Sequence, residues 1–180
     1  MRYYNYLNEA KYLQKTMLGY HIDYNQIKST SLYIKSFFDR YNVKYNINTN
    51  PHLTIAQMTG KYEKDEIVRT MSELPVGFTM KAKKVKMLYG QFVKKYFVTI
   101  EYNRSVEYIY AHNLIRERFK DVKTFPGGMI PHVSLFNMEE KDIDPYIWNE
   151  IDQRKINLPD ISLNKIVLFN SKFLPEFLLK

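Results

Sequence analysis

The chain has 180 residues and no cysteine, with only six glycines and four histidines. The absence of cysteine excludes a disulfide framework, a thiol nucleophile, a cysteine-ligated zinc ion and an iron–sulfur cluster. No run of 18 apolar residues is present, and the first residues lack the apolar core of a signal peptide, so neither a transmembrane helix nor secretion is predicted. Gly/Ser linkers and low-complexity tracts are also missing. We therefore expect a cytoplasmic protein in which residues 1–180 form a single domain.

Positive charge is abundant in the sequence. It contains 27 Lys and Arg residues against 19 Asp and Glu residues, a formal net charge of +8 at pH 7. Such an excess favours an anionic partner, and the charge alone leaves nucleic acid, nucleotides and a membrane surface open. Asp and Glu residues show no metal-ligand spacing, so no metal site is predicted. Any histidine chemistry must use His21, His52, His112 or His132.

The periodicity of apolar residues predicts two similar halves, residues 16–89 and 95–170. Each half reads as strand, long helix, loop, Pro-His strand, short helix and strand. The sequence therefore predicts an α+β fold with two pseudo-symmetric αβ lobes, whose antiparallel sheets form a central groove. The predicted strands cover residues 16–23, 52–58, 78–89 with a bulge near Lys83–Lys84, 95–102, 132–136 and 161–170. The predicted helices cover residues 4–15, 26–41, 64–74, 105–119 and 142–152.

A five-residue motif occurs at the same place in each half. It reads Pro-His-Leu-Thr-Ile from Pro51 and Pro-His-Val-Ser-Leu from Pro131. Alternate side chains of a strand share a face, so His52 lies beside Thr54, and His132 beside Ser134. One His-x-Thr in a strand carries little information, but two copies at equivalent places predict a groove that holds two imidazoles and two hydroxyls.

This set of side chains suits cleavage of a phosphodiester. Histidine titrates near neutral pH, so one imidazole can accept the proton of the nucleophile while the other donates a proton to the leaving oxygen. The hydroxyls of Thr54 and Ser134 can donate hydrogen bonds to the non-bridging oxygens. The sequence does not indicate which histidine is the acid and which is the base.

The doubled motif and the duplicated αβ half resemble the 2H phosphoesterase superfamily, whose LigT-like fold carries His-x-Thr/Ser-hydrophobic twice. The resemblance extends over residues 16–170. It implies that His52, Thr54, His132 and Ser134 are catalytic and that no metal or other cofactor is used.

The substrates that the resemblance implies are RNA-like phosphodiesters. Members of the superfamily cleave 2′,5′-oligoadenylates or cyclic oligonucleotide signals, and these include viral and phage proteins that counter host immunity. The abundance of Tyr, Lys and Asn is typical of AT-rich coding sequences and accords with such an origin. We therefore predict a small oligonucleotide or cyclic nucleotide substrate, with RNA also open, and neither a membrane nor an obligate protein partner. The alternatives are an enzyme that processes 2′,3′-cyclic phosphate RNA ends and a module that binds nucleotides without cleaving them.

Four further residues are candidates for substrate binding. Phe136 follows Ser134 by two positions and is predicted to share its strand face, where it either stacks on a base or is a core residue at the floor of the groove. The turn that contains Tyr89, Phe92 and Lys94 either binds a nucleotide or is an ordinary hairpin. His21 and His112 have no motif partner, so we interpret both as structural.

Overall fold

A computed structural model describes residues 12–90, 94–123, 130–139, 142, 145–151, 153–169 and 175–179. The strands are β1 (Tyr12–His21), β2 (Asn46–Ile47), β3 (His52–Glu63), β4 (Phe78–Met80), β5 (Ala82–Gly90), β6 (Lys95–Tyr102), β7 (His132–Glu139), β8 (Ile161–Leu163), β9 (Ile166–Phe169) and β10 (Pro175–Leu179). The helices are α1 (Tyr24–Arg40), α2 (Lys64–Ser72), α3 (Val106–Arg118) and α4 (Pro145–Glu150).

The main sheet is antiparallel and has the strand order β10-β9-β1-β3-β7-β6-β5, with β2 paired to β7. Strands β3 and β7 join the two halves of this sheet through the pair Leu53–Val133. Strands β4 and β8 form a separate two-stranded sheet. The predicted α+β class is confirmed, and its two antiparallel half-sheets meet at the strands that carry the two motifs.

The two motifs and the strand ends that contact them repeat with an offset of 80 residues. In the first half the Ile22 amide donates to the Pro51 carbonyl over 3.0 Å, and in the second the Tyr102 amide donates to the Pro131 carbonyl over 2.9 Å. Position 22 plus 80 is 102, and 51 plus 80 is 131. Each proline therefore receives a hydrogen bond from the end of the neighbouring strand, and the same contact fixes the start of both motifs.

The long helices cover one face of the sheet. Helix α1 begins after Asp23, whose carboxylate accepts from the Asn25 amide, and α3 begins after Ser105, whose hydroxyl oxygen accepts from the Tyr108 amide. These caps satisfy amide groups that have no partner within the helix. Buried helix residues such as Phe38 share one core with strand residues including Leu53 and Val133. Because side chains alternate, His52 and His132 point to the opposite face of the sheet.

The structure corrects four of the predicted elements. The predicted strand 78–89 is two strands in different sheets, since β4 pairs with β8 and β5 pairs with β6. Residues 12–15 belong to β1 rather than to a helix, because they pair with the far end of β3; residues 4–11 of that predicted helix lie outside the described part of the chain. The predicted strand 161–170 is two strands, since β8 pairs with β4 whereas β9 pairs with β1. Within the described residues, the helix predicted for 142–152 is limited to Pro145–Glu150. The bulge predicted near Lys83–Lys84 is confirmed between Ala82 and Lys84.

No helix in the described part of the chain is long and apolar enough to cross a membrane.

Candidate active site

The structure brings the two motifs together at the centre of the sheet. Leu53 and Val133 are paired across β3 and β7 and are both fully buried. In an antiparallel pair the residues on either side of such a pair point to the other face. His52, Thr54, His132 and Ser134 all flank the pair and are all half-buried. The four predicted catalytic side chains therefore share one face of two adjacent strands.

The two imidazole rings are held by the same contact. The Nδ1 atom of His52 lies 2.7 Å from the carbonyl oxygen of Asn50, and the Nδ1 atom of His132 lies 2.8 Å from that of Ile130. A carbonyl can only accept a hydrogen bond, so Nδ1 carries the hydrogen in both rings. The other nitrogen, Nε2, is then the proton-transfer atom of each ring. The motif thus fixes the tautomer as well as the position of both histidines.

Burial lowers the pKa of both motif histidines below the usual value for histidine. For His52, the Asn50 carbonyl partly offsets this effect, and the charges of His132 and His21 lower the pKa further. For His132, the Ile130 carbonyl and the charge of Glu101 oppose the effect of burial, while Lys86 adds to it. Both rings therefore give up a proton more readily than a free imidazole and are not held as fixed cations.

The Thr54 hydroxyl has a weak partner on the same face. Its Oγ1 donates to the Met17 thioether sulfur over 3.3 Å. Sulfur is a poor acceptor, so a phosphate oxygen at this position competes for the proton easily. On the other strand, the side chain of Asn48 donates to the Ser134 carbonyl over 2.8 Å and fixes the backbone beside the Ser134 hydroxyl.

Each motif strand contains a bulge immediately after the hydroxyl residue. In β3 the register skips Ile55, and in β7 it skips Leu135, again 80 positions apart. A bulge reverses the alternation of side chains along the strand. Buried residues therefore follow one another at Ile55–Ala56 and at Leu135–Phe136, and the half-buried Gln57 and Asn137 return to the motif face.

The bulge decides the position of Phe136. Its ring is fully buried and contacts the rings of Phe38 and Tyr45, with centroids 5.8 Å and 5.3 Å away. Phe136 is therefore a core residue, and the prediction that it shares a face with Ser134 is wrong. The adjacent apolar residues Leu135 and Phe136 were the sequence signal for this reversal.

Tyr89 and Lys94 lie away from the four motif side chains. Tyr89 is paired with Tyr96, which is five residues along β6 from the partner of His132, or about 17 Å at the rise of an extended strand. Strand alternation also puts Tyr89 and Tyr96 on the face opposite the motifs. Lys94 is exposed in the turn with φ 50°, and Phe92 lies outside the described residues. The structure does not bring Tyr89 or Lys94 to the four motif residues.

Comparison with known proteins supports this fold. The sequence matches no protein-family model and no curated protein. Among solved structures, Kluyveromyces marxianus Usb1 matches with a TM-score of 0.59 and 7% identity, covering 93% of this chain and 97% of that chain. E. coli LigT complexed with ATP matches with a TM-score of 0.58 and 14% identity over 92% of each chain. The chain has the LigT-like 2H fold. A structure described as a phosphoesterase matches with a TM-score of 0.56 and 13% identity over 87% of each chain.

One side of the sheet face that carries the motifs is apolar. The Phe169 ring lies 4.4 Å from the His52 ring, measured between centroids. Phe169 forms a small buried cluster with Met17 and Val167, separate from the main core. His21 is the direct cross-strand partner of His52, so both imidazoles lie on this side. The sequence interpretation of His21 as structural missed this pairing, which depends on the register of β1.

The other side of the motif face is polar and charged. Across β6, Glu101 is paired with His132 and Thr99 with Ser134. Strand β5 extends this face with two lysines, because Lys84 is paired with Glu101 and Lys86 with Thr99. Directly paired residues share a face, so these side chains surround the second motif.

Sequence analysis also missed Phe97, which is half-buried and paired with Asn137 on the same face. The alternation of Phe97, Thr99 and Glu101 along one strand face was the available signal.

Proposed function

We propose that the protein is a phosphoesterase that cleaves phosphodiester bonds in small nucleotide or RNA-like substrates, with His52 and His132 as general acid and base. The observation that supports this most directly is the equivalent anchoring of the two rings. Each Nδ1 is bound to a carbonyl two residues upstream, so each Nε2 is left as the reacting nitrogen. A purely structural role does not explain why two histidines on one half-buried face have the same tautomer.

The reaction follows from this geometry. Nε2 of one histidine takes the proton from the nucleophile, which is a neighbouring ribose hydroxyl or a water molecule. The new P–O bond forms as the bond to the leaving oxygen breaks, and the other histidine donates its proton to that oxygen. The hydroxyls of Thr54 and Ser134 donate to the non-bridging oxygens. Positioned acid–base groups contribute about 10²–10⁴-fold, and oxyanion donors a comparable factor.

The walls of the groove favour a nucleotide as substrate. Lys84 and Lys86 provide positive charge beside the second motif, and Phe97 offers a ring on which a base can stack. Structures with this fold include LigT complexed with 3′-AMP and with ATP, and Usb1 with uridine monophosphate. We extend the proposal to 2′,5′-oligoadenylates and cyclic oligonucleotides, because the half-buried motif face suits a short flexible substrate better than a duplex.

A substrate panel tests the proposal. The purified protein is incubated with 2′,5′-oligoadenylates, cyclic di- and trinucleotides, and 2′,3′-cyclic mononucleotides, with and without EDTA, and products are separated by chromatography. We expect cleavage of at least one class in the presence of EDTA, and none by the His52→Ala/His132→Ala double variant. Preference for 2′,3′-cyclic phosphates favours the RNA-end alternative. Binding without product from any substrate contradicts the proposal and favours the sequestering module.

A further inference from the structure

The two motif histidines have different cross-strand neighbours at equivalent places. In the first half the residue paired with His52 is His21, and in the second half the residue paired with His132 is Glu101. These neighbours are themselves related by the offset of the duplication, since 21 plus 80 is 101. Residues directly opposite one another in an antiparallel pair have Cβ atoms about 4.5–5.5 Å apart. The duplicated scaffold therefore places a base beside one catalytic ring and an acid beside the other.

Glu101 is ionised and almost completely buried. Its exposed fraction is 7%, and its Oε1 accepts from the Lys83 ammonium over 2.7 Å. Burial by itself raises the pKa of the Glu101 carboxyl, but the hydrogen bond from Lys83 and the charges of Lys83, Lys84 and Lys86 lower it below the usual value overall. A buried charge is screened less than an exposed one, so this carboxylate acts strongly on its nearest neighbours.

The other charged groups around the two rings are farther away or have a weaker effect on their protonation. Lys84 and Lys86 on β5 are two strands from His132, about 10 Å at the usual strand spacing. His52 on β3 lies beside His132, and His21 on β1 lies beside His52. Beyond His21, the neighbouring charges are Lys165, which lowers the pKa of His21, and Asp23, which opposes it, both after the larger effect of burial. The closest anion among these groups is therefore Glu101, beside His132.

We propose that Glu101 is a positioning residue that stabilises the protonated form of His132, so that His132 keeps its proton to higher pH than His52. The assignment of acid and base rests on the proposed function. In that reaction His132 donates a proton to the leaving oxygen, and His52 accepts the proton of the nucleophile. Glu101 acts through its charge, because the Nδ1 of His132 is already bound to the Ile130 carbonyl. Its ion pair with Lys83 moderates this effect without removing it.

NMR titration of the histidine rings tests the inference without a substrate. We expect the pKa of His132 to lie above that of His52 in the wild-type protein and to fall in Glu101→Gln. Lys83→Met removes the cation that moderates Glu101, so the pKa of His132 should rise in this variant. Lys83 is half-exposed, and its replacement is compatible with folding. Two changes in opposite directions are what an electrostatic role requires and a packing role does not produce.

The matched control is Glu139→Gln. Glu139 accepts from Lys95 over 2.8 Å at the other end of the same β6–β7 ladder, so it is an ion-paired carboxylate far from the rings, more exposed than Glu101. This variant should leave the pKa of His132 unchanged. If Glu101→Gln leaves that pKa unchanged, or if Glu139→Gln lowers it equally, the inference is wrong.

A pH profile of kcat/KM gives the second measurement. A general acid must be protonated, so a lower pKa of His132 moves the alkaline limb of the profile to lower pH. We expect Glu101→Gln to lose about threefold to tenfold of kcat/KM along the alkaline limb relative to wild type, and much less at pH values well below the pKa that the NMR titration gives for His132. An equal loss on both sides of that pKa contradicts the electrostatic role. Absence of turnover by the wild-type protein contradicts the proposed function alone, because the NMR titration still tests Glu101.

Discussion

The first and second motifs have the same backbone arrangement, but different side chains surround them. Each consists of a proline, an anchored histidine, a hydroxyl residue and a bulge, all repeated at an offset of 80 residues. The first motif lies against His21 and the ring of Phe169. The second lies against Glu101 and Thr99, with lysines on the strand beyond.

This difference shows which parts of a duplicated site must stay alike and which must diverge. The proposed reaction needs two proton-transfer groups, and repetition of one strand supplies them with the same tautomer. A phosphodiester is itself unequal, since one side carries the nucleophile and the other the leaving oxygen. The flanking strands β1 and β6 supply the inequality, because a residue on a neighbouring strand can change without disturbing the motif that it faces.

The largest effect is expected from the histidines that both motifs contain, and it is tested by removing each imidazole separately. We expect His52→Ala and His132→Ala each to lower kcat by about 10²–10⁴-fold, because each variant removes one step of proton transfer. Both rings are half-buried on the groove face, so circular dichroism should show an intact fold. Steady-state kinetics on the substrate identified by the panel measures the effect.

His112 provides the control for loss of an imidazole. It is half-buried on α3, where its Nδ1 lies 2.9 Å from the Ile55 carbonyl, so it tethers that helix to the back of the motif strand. His112→Ala should lower the free energy of unfolding by about 1 kcal/mol and keep most of the activity. Full activity in either motif variant contradicts the proposed mechanism.

A smaller effect is expected from the two hydroxyls. Thr54→Val and Ser134→Ala each remove a donor to the phosphate oxygens and should lower kcat by about 10–10²-fold. Thr54→Ser and Ser134→Thr keep the donor and should retain most activity, since the two motifs already differ in this way. Loss in these conservative variants equal to that in Thr54→Val and Ser134→Ala would falsify the assignment of the hydroxyls as donors.

The features that the two halves share could be predicted from the sequence where they depend on the local pattern of apolar residues. The duplicated order of elements and the strand position of both motifs follow from periodicity, and the structure contains them. The roles proposed for His52, Thr54, His132 and Ser134 stay predictions, although the structure places them on one face. A viral or phage origin also stays a prediction.

The errors came from features that depend on pairing between strands. Unbroken alternation puts Phe136 on the motif face, and the bulge at Leu135 reverses it. The places of His21 beside His52 and of Glu101 beside His132 depend on the registers of β1 with β3 and of β6 with β7. Register is fixed by long-range pairing, so no short window of sequence contains it.

The smallest predicted effect concerns the residue paired with the hydroxyl residue of each motif. This residue is a glycine in the first half and a threonine in the second. Gly19 is paired with Thr54, and the equivalent residue of the second half, Thr99, is paired with Ser134. A Cβ atom on Gly19 would lie 2.7 Å from the Leu53 carbonyl oxygen, which is backbone and cannot rotate away. Gly19→Ala should therefore push β1 from β3 and lower the free energy of unfolding by about 1–3 kcal/mol, measured by urea denaturation.

Gly60→Ala, further along β3, is the matched control for Gly19→Ala. A Cβ atom there would approach Asp121 Oδ2 and the Tyr62 hydroxyl at 2.6 Å, but both are side-chain atoms that can move. Its cost should be smaller than that of Gly19→Ala, because rotamer changes are cheaper than a shift of a strand. If both variants lose equal stability, the close approach of β1 to β3 is not specific to the first motif. A larger loss in Gly19→Ala means that the close approach of β1 to β3 requires a glycine beside the first motif, whereas the second half has Thr99 at the equivalent position.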